Sequence, residues 1–334
     1  MSQVKTNFAI SRRNILAVAG AGAVGAMAAR IIAPVSAHAE VAAKPAALSE
    51  PAAFYNFMHG DVQVTMVSDG VLGLGDGRKL IKEATVEDLT TRLEAAFLPA
   101  DNMVLQQNIP VLKIGGKTII VDTGTGTATF FGDTTGRLPA NLKAAGIDPA
   151  SIDMIVLSHC HPDHLGGMID GAGKVVFPNA QVSVNEADFN FWTDEAKLTG
   201  EIKPFIEFAR ARLLPYKDKI SFHKGGQDIV SGLQAIDAPG HTVGHTMFMV
   251  TSGAKPLAIT ADCAHHYILF VEKPKIEFGY DTDSKLAVAT RLKVWDMLAT
   301  DRIPFIAYHF PWPGLGNLAK AGDAYRYYQT PVVL

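Results

Sequence analysis

Two cysteines in 334 residues, Cys160 and Cys263, are too few for a disulfide framework or a Cys-rich metal knuckle. Any metal must therefore be held mainly by His and carboxylates. Charge is also scarce, 19% of residues against 48% hydrophobic, which excludes a disordered chain or a coiled coil and leaves enough apolar surface for a large core. There is no basic surplus: the formal charge is −3, and residues 1–39 hold Lys5, Arg12, Arg13 and Arg30 but no acid. Subtracting those four from 30 leaves 26 basic against 33 acidic residues, a balance of −7, which speaks against a nucleic-acid partner. Residues 14–29 are uncharged, but they are rich in Ala and Gly and end at Arg30, too weakly apolar for a stable membrane span. No Gly-x-Ser-x-Gly elbow marks a serine nucleophile.

Present instead is an address. Arg12-Arg13 precede the weak apolar stretch, and Ala37-His38-Ala39 has the small-x-small form of a signal-peptidase site. Residues 1–39 therefore read as a twin-arginine-type signal for export of a folded protein to the periplasm or medium. Residues 40–53 read as an Ala/Pro-rich flexible leader, and residues 54–334, without repeats or linkers, as a single domain. Short apolar or alternating runs predict strands at 62–67, 111–114, 118–121, 154–157, 246–250, 257–260 and 305–308. Helical periodicity predicts helices at 86–97, 138–145, 202–213 and 284–298, with Thr85 and Asp283 as N-caps. That order suggests two sheets packed face to face with helices outside.

Three of the eleven histidines fall within six residues, His159-Cys160-His161-Pro162-Asp163-His164, just after the buried run 153–158. So many imidazoles beside a carboxylate would be costly to bury without a common partner, and a metal is the simplest one. Further candidates end later strand-like runs: His241 and His245 in Gly240-His241-Thr242-Val243-Gly244-His245, Asp262 after Ile259-Thr260-Ala261, and His309 after Ile306-Ala307-Tyr308. Asp122 ends an earlier run, Ile119-Ile120-Val121. His265 and His266, close behind Asp262, read as ordinary loop histidines ahead of residues lining the mouth of the site, His59 and His223 as surface or structural, and Cys160 and Cys263 as small buried thiols ahead of a disulfide pair.

In this order the motifs resemble those of the metallo-β-lactamase superfamily. Ser68-Asp69-Gly70, the segment 136–146, Phe177-Pro178-Asn179-Ala180, Glu186-Ala187-Asp188-Phe189, Asp283-Ser284-Lys285 and Pro313-Gly314-Leu315-Gly316 are similar to the methyl parathion hydrolase and lactonase family within it. The resemblance implies an αββα sandwich and two divalent metal ions, zinc first, with manganese, cobalt or iron also compatible. It implies His159, His161 and His241 on one metal, Asp163, His164 and His309 on the other, and Asp262 bridging, with Asp163 and Asp262 as the acids of the chemistry. Asp122 and His245 would orient these ligands by hydrogen bonding. Phe131, Trp192 and Phe205 would form an aromatic substrate pocket, although the 125–129 loop and the 189–192 spacing differ from the family's. The expected activity is hydrolysis of neutral lactones and aryl esters, with slower hydrolysis of organophosphate triesters, by a homodimer. Alternatives are a dedicated triesterase, a glyoxalase II-type thioesterase, a β-lactamase, or a periplasmic metal-binding protein without activity.

Overall fold

The computed structural model describes residues 53–128, 130 and 132–332, all within one unit, Glu50–Leu334. The predicted signal and, apart from Ala53, the leader lie outside the described residues. The first half runs β1 (Phe54–His59), β2 (Val62–Gly73), β3 (Ile81–Lys82), α1 (Val86–Ala95), β4 (Val104–Ile114), β5 (Lys117–Val121), α2 (Leu138–Ala144), β6 (Met154–Val156), α3 (Pro162–Leu165), β7 (Gln181–Asn185), α4 (Glu186–Thr193), α5 (Lys203–Leu213) and β8 (Ile220–His223). The second half runs β9 (Asp228–Val230), β10 (Leu233–Asp237), β11 (Thr246–Ser252), β12 (Lys255–Ala261), α6 (Leu269–Glu272), β13 (Glu277–Phe278), α7 (Ser284–Thr300), β14 (Phe305–Ala307), β15 (Leu315–Ala321) and β16 (Ala324–Gln329).

Two seven-stranded mixed sheets form, β1-β2-β4-β5-β6-β7-β8 and β16-β15-β14-β12-β11-β10-β9, with a small pair, β13-β3, beside them. The alternation of strand side chains explains why the sheets stack. Leu112 in β4, Ile119 and Val121 in β5, Phe248 and Val250 in β11, and Leu257 and Ile259 in β12 share one core between the sheets. Their neighbours point the other way. Val111 and Ile120 meet Leu138, Leu142, Ile206 and Leu213 of α2 and α5, while Met247, Ala258 and Phe305 meet Trp295 and Leu298 of α7 and Leu89 and Leu93 of α1. A strand buried on both faces needs helices on its outer side, which is the αββα sandwich.

The four predicted helices stand where the periodicity placed them. Thr85 Oγ1 accepts from the Asp88 N–H at 3.1 Å and Asp283 Oδ1 from the Leu286 N–H at 3.0 Å, as N-caps do. The predicted strands are all present, with β2 and β4 longer than their apolar centres. The pairs β5–β6 and β12–β14 are parallel, so the chain leaves all four strands at the same end of its pair. Among the described residues no helix is long and apolar enough to cross a membrane.

Candidate metal centre

The links that follow β5, β6, β12 and β14 carry Asp122, the 159–164 segment, Asp262 and His309, and the β10–β11 link carries His241 and His245. Two strand ends leave in a left-handed conformation at non-glycine residues, Asp122 (φ 64°) and Ala261 (φ 43°). Such positions cost on the order of 1–3 kcal/mol and persist where the surroundings hold them, often at functional sites. The loops meet at glycines. A Cβ on Gly167 would lie 2.0 Å from Thr123 O, and one on Gly240 (φ 128°) would lie 2.2 Å from Ala287 N, so no larger residue lets these backbones approach.

Four groups of donors result, buried except for the half-buried His161, each with its ligand atoms within 4.8 Å of one another: His159, His161 and His241; His159, His164 and Asp262; Asp163, His164 and His309; and His241, Asp262 and His265. Asp262 joins them. Its Oδ2 lies 3.4 Å from His241 Nε2 and 3.2 Å from His309 Nε2, and its Oδ1 lies 3.4 Å from His164 Nε2. Asp163 Oδ2 lies 3.5 Å from both His164 Nε2 and His309 Nε2.

The imidazoles are aimed from behind. His164 Nδ1 donates to Asp122 Oδ2 at 2.9 Å; the Ser158 hydroxyl donates to the same oxygen at 2.7 Å and stands 3.0 Å from His159 Nδ1. His241 Nδ1 donates to Asp281 Oδ1 at 2.9 Å, and His309 Nδ1 to Gln106 O at 2.8 Å. With each Nδ1 engaged, Nε2 is the nitrogen left to face the centre. His245 does something else: its Nδ1 donates to Ala238 O, and its Nε2 accepts the backbone N–H of Asp262 at 3.1 Å, fixing the carboxylate's base. Asp188, fully buried, accepts from Cys160 N at 2.7 Å and Gly244 N at 3.0 Å, tying the two histidine loops together.

Burial holds His159, His161 and His241 well below the usual imidazole pKa, and neighbouring imidazoles push the same way, so all three are neutral and able to ligate. Burial opposes charge on Asp262, but His309 and His164 outweigh it and keep the carboxyl well below its usual range. Nε2 of His159, His164 and His241 and Oδ1 of Asp262 are buried and have no hydrogen-bond partner. Orphaned imidazole nitrogens gathered around one carboxylate are a fit for divalent metal ions of the zinc type.

A cavity opens on these donors. Its walls are Leu72, Leu74, Leu105, Phe205, Phe278 and Tyr280, and its floor includes His161, Asp163, His241, Asp262, His265 and His309. Phe205 is among the side chains that line it. Trp192 does not line the cavity: α4 carries it behind His161, edge-on at 5.0 Å, and its indole is spent on the core under α5. Phe131 lies outside the described residues. His265 is no ordinary loop histidine, because the turn after β12 brings it into the fourth donor group. Its neighbour His266 is structural, accepting at Nδ1 from the N–H groups of Ile268 and Leu269. His223 is buried and bonded to Ser183 at 2.9 Å, while Cys160 and Cys263 are buried free thiols. Asp281 had no signal in the sequence, since only tertiary contact pairs it with His241.

The metallo-beta-lactamase superfamily model matches residues 102–304, and the chain belongs to that superfamily. Among solved structures it is similar to AidC, a dizinc quorum-quenching lactonase, at 29% identity and TM-score 0.79, covering 84% of this chain and 98% of that one. It is similar to the hydrolase AbOPH of the beta lactamase superfamily at 30% identity and TM-score 0.78, covering 84% and 99%. Among curated relatives, an N-acyl homoserine lactonase from a Bacillus species is 29% identical over 158 residues, 47% of this chain. The lactonase AttM of Agrobacterium fabrum is 36% identical over 163 residues, 46% of this chain. The chain spans only 56% and 57% of those two relatives' lengths.

Proposed function

We propose that this chain is a dinuclear metal-dependent hydrolase of neutral lactones and aryl esters. One observation carries the reading: two donor sets share Asp262 at the floor of a cavity whose lining, among the described residues, contains neither Lys nor Arg. A site without fixed cations offers nothing to the carboxylates of a glutathione thioester, whereas its leucines and aromatic rings suit an uncharged ring or acyl arm. The lactonases among its relatives support the same substrate class.

His159, His161 and His241 would hold one zinc ion, Asp163, His164 and His309 the other, and Asp262 both. When bound, such a pair acidifies water and polarises a carbonyl oxygen. The chain's own groups do the rest. Asp122, Ser158 and Asp281 keep the donor rings in place, and His245 fixes the Asp262 backbone. Phe205, Phe278 and Tyr280 stack on the substrate and exclude water from its ring. Asp163 and Asp262, the two carboxylates on the cavity floor, would offset the metals' charge and keep the donor histidines turned towards the substrate. Organophosphate triesters would react more slowly, because two alkoxy arms and an in-line leaving group need more room. The export signal and a homodimer belong to the same reading; cell fractionation of an Arg12→Lys, Arg13→Lys variant and size-exclusion chromatography test them.

The deciding experiment is kcat/KM on one metal-assayed preparation for dihydrocoumarin, an N-acyl homoserine lactone, an aryl acetate, methyl parathion and a β-lactam. Lactones or the aryl ester should lead. A lead for methyl parathion of ~10-fold, about 1.4 kcal/mol in transition-state binding, reverses the order in favour of a triesterase. Absence of turnover with two metals bound would leave a binding protein.

A further inference from the structure

His265 stands three residues beyond Asp262, in the turn that leaves β12, and is 2% exposed. Its ring is held on two sides: Phe278 packs at 4.1 Å between centroids with planes 33° apart, and His309 stacks at 5.6 Å and 25°. The side chain is thus aimed as firmly as the other histidines of the site. Yet neither of its ring nitrogens has a hydrogen-bond partner. The contrast with His266, whose Nδ1 takes two backbone N–H groups, separates a structural imidazole from one that is not. Leaving a buried polar group unpaired is unfavourable, and this ring offers its Nε2 only a carboxylate oxygen and its Nδ1 nothing. Its Nε2 lies 3.2 Å from Asp262 Oδ2, a spacing like those of His241 Nε2 and His309 Nε2 from the same oxygen, 3.4 and 3.2 Å. His241, Asp262 and His265 together form a complete three-donor group.

We propose that His265 is a further metal donor of this chain, adding a sixth imidazole to His159, His161, His164, His241 and His309 on the side where His241 and Asp262 meet. This rests on the dinuclear reading above and goes beyond it in the donor set. A neutral imidazole raises affinity without altering the charge of the site, and the aromatic packing against Phe278 and His309 means that little side-chain freedom is lost on ligation. Nothing in the HxHxDH motif announces this donor, because it comes with the bridging acid's own turn.

The test uses the full mature chain loaded with Co(II). The imidazole N–H protons of ligating histidines give hyperfine-shifted, solvent-exchangeable proton resonances, and six are expected in the wild type. His265→Phe, which keeps a ring between Phe278 and His309, should show five, and one of its two cobalt ions should bind at least tenfold more weakly in competition with a chromogenic chelator. His265→Asn provides a second variant, and the wild-type count stands even if neither variant folds. Five resonances in the wild type, or unchanged affinities in both variants, would overturn the proposal and leave His265 facing substrate alone. A wild type that binds fewer than two cobalt ions would instead bring down the dinuclear reading, and this inference with it.

Discussion

Asp281 is 40 residues away from His241 in the chain, yet its Oδ1 takes the His241 Nδ1–H at 2.9 Å. Backbone contacts make the pairing durable, since Thr282 N donates to His241 O and Asp283 N to Gly240 O, both at 2.9 Å. Removing such a partner typically costs a metal site roughly 10–100-fold in affinity. Asp281→Ala should weaken zinc binding by about that factor in chelator competition, with the zinc-loaded fold unchanged by circular dichroism; equal affinity would show that His241 needs no support.

His223 is buried away from the metal donors, against Ser183, Thr246 and Phe248. Burial pushes its pKa down from 6.5 to about 4. The unfolded chain therefore binds a proton that the folded one refuses. The stability linked to His223 is complete above pH 6.5 and is lost as pH falls from 6.5 towards 4. Full loss would amount to about 3 kcal/mol. His223→Gln should flatten the decline of unfolding free energy between pH 6.5 and 4, measured by urea titration, by close to one proton's worth of slope. An unchanged slope would show that other groups carry it.

At the scale of elements, the stretch from β12 to α7 is the most consequential. Residues 262–283 supply Asp262, His265, Phe278, Tyr280 and Asp281, and one buried side chain clamps the stretch. Arg291 of α7 donates from Nε to Cys263 O at 2.9 Å and from one amino group to Pro274 O at 2.9 Å and Ile276 O at 2.7 Å, with its guanidinium 4.7 Å from the Phe270 ring centroid. Burial lowers its pKa to about 10, so it stays charged at neutral pH. Arg291→Met fills similar volume but strands three buried carbonyls. It should lower unfolding free energy on the order of 3 kcal/mol in a denaturant melt and weaken metal retention with it. A loss below about 0.5 kcal/mol would mean the carbonyls find other partners.

Elements with strong periodicity were legible: α1, α2, α5 and α7 stand within two residues of their sequence bounds. The weaker ones were not. Strands β8, β9 and β16 lie at sheet edges, with partly exposed side chains and no continuous apolar run. Helix α4 hid behind its aromatic residues. The sequence 189–192 reads as a pocket cluster, but Asn185 caps a helix there by accepting from the Ala187 N–H at 2.9 Å, and the helix turns Asp188 and Trp192 inward.

For the whole molecule, the donor set and the fold are coupled. Metals that bind the folded chain and not the unfolded one add stability by mass action, about 4 kcal/mol per ion at a thousandfold excess over Kd. Stripping both with a chelator should lower the melting temperature on the order of 10 °C, and added zinc should restore it. A melt indifferent to chelation would argue against two tightly held ions.

Strand alternation and helix periodicity already dictate which faces must be covered, and with that the layers of the sandwich. The chemical type of the site is equally local, since three imidazoles and an acid within six residues are difficult to bury without a metal. Packing settles which strand ends meet, which Nδ1 atoms are engaged, and that His265 and Asp281 stand beside the centre while Trp192 does not line the cavity. These depend on contacts between residues far apart in the chain, or on the direction a turn gives one side chain. Local pattern carries neither, because the energy that selects them appears only once both sheets have packed.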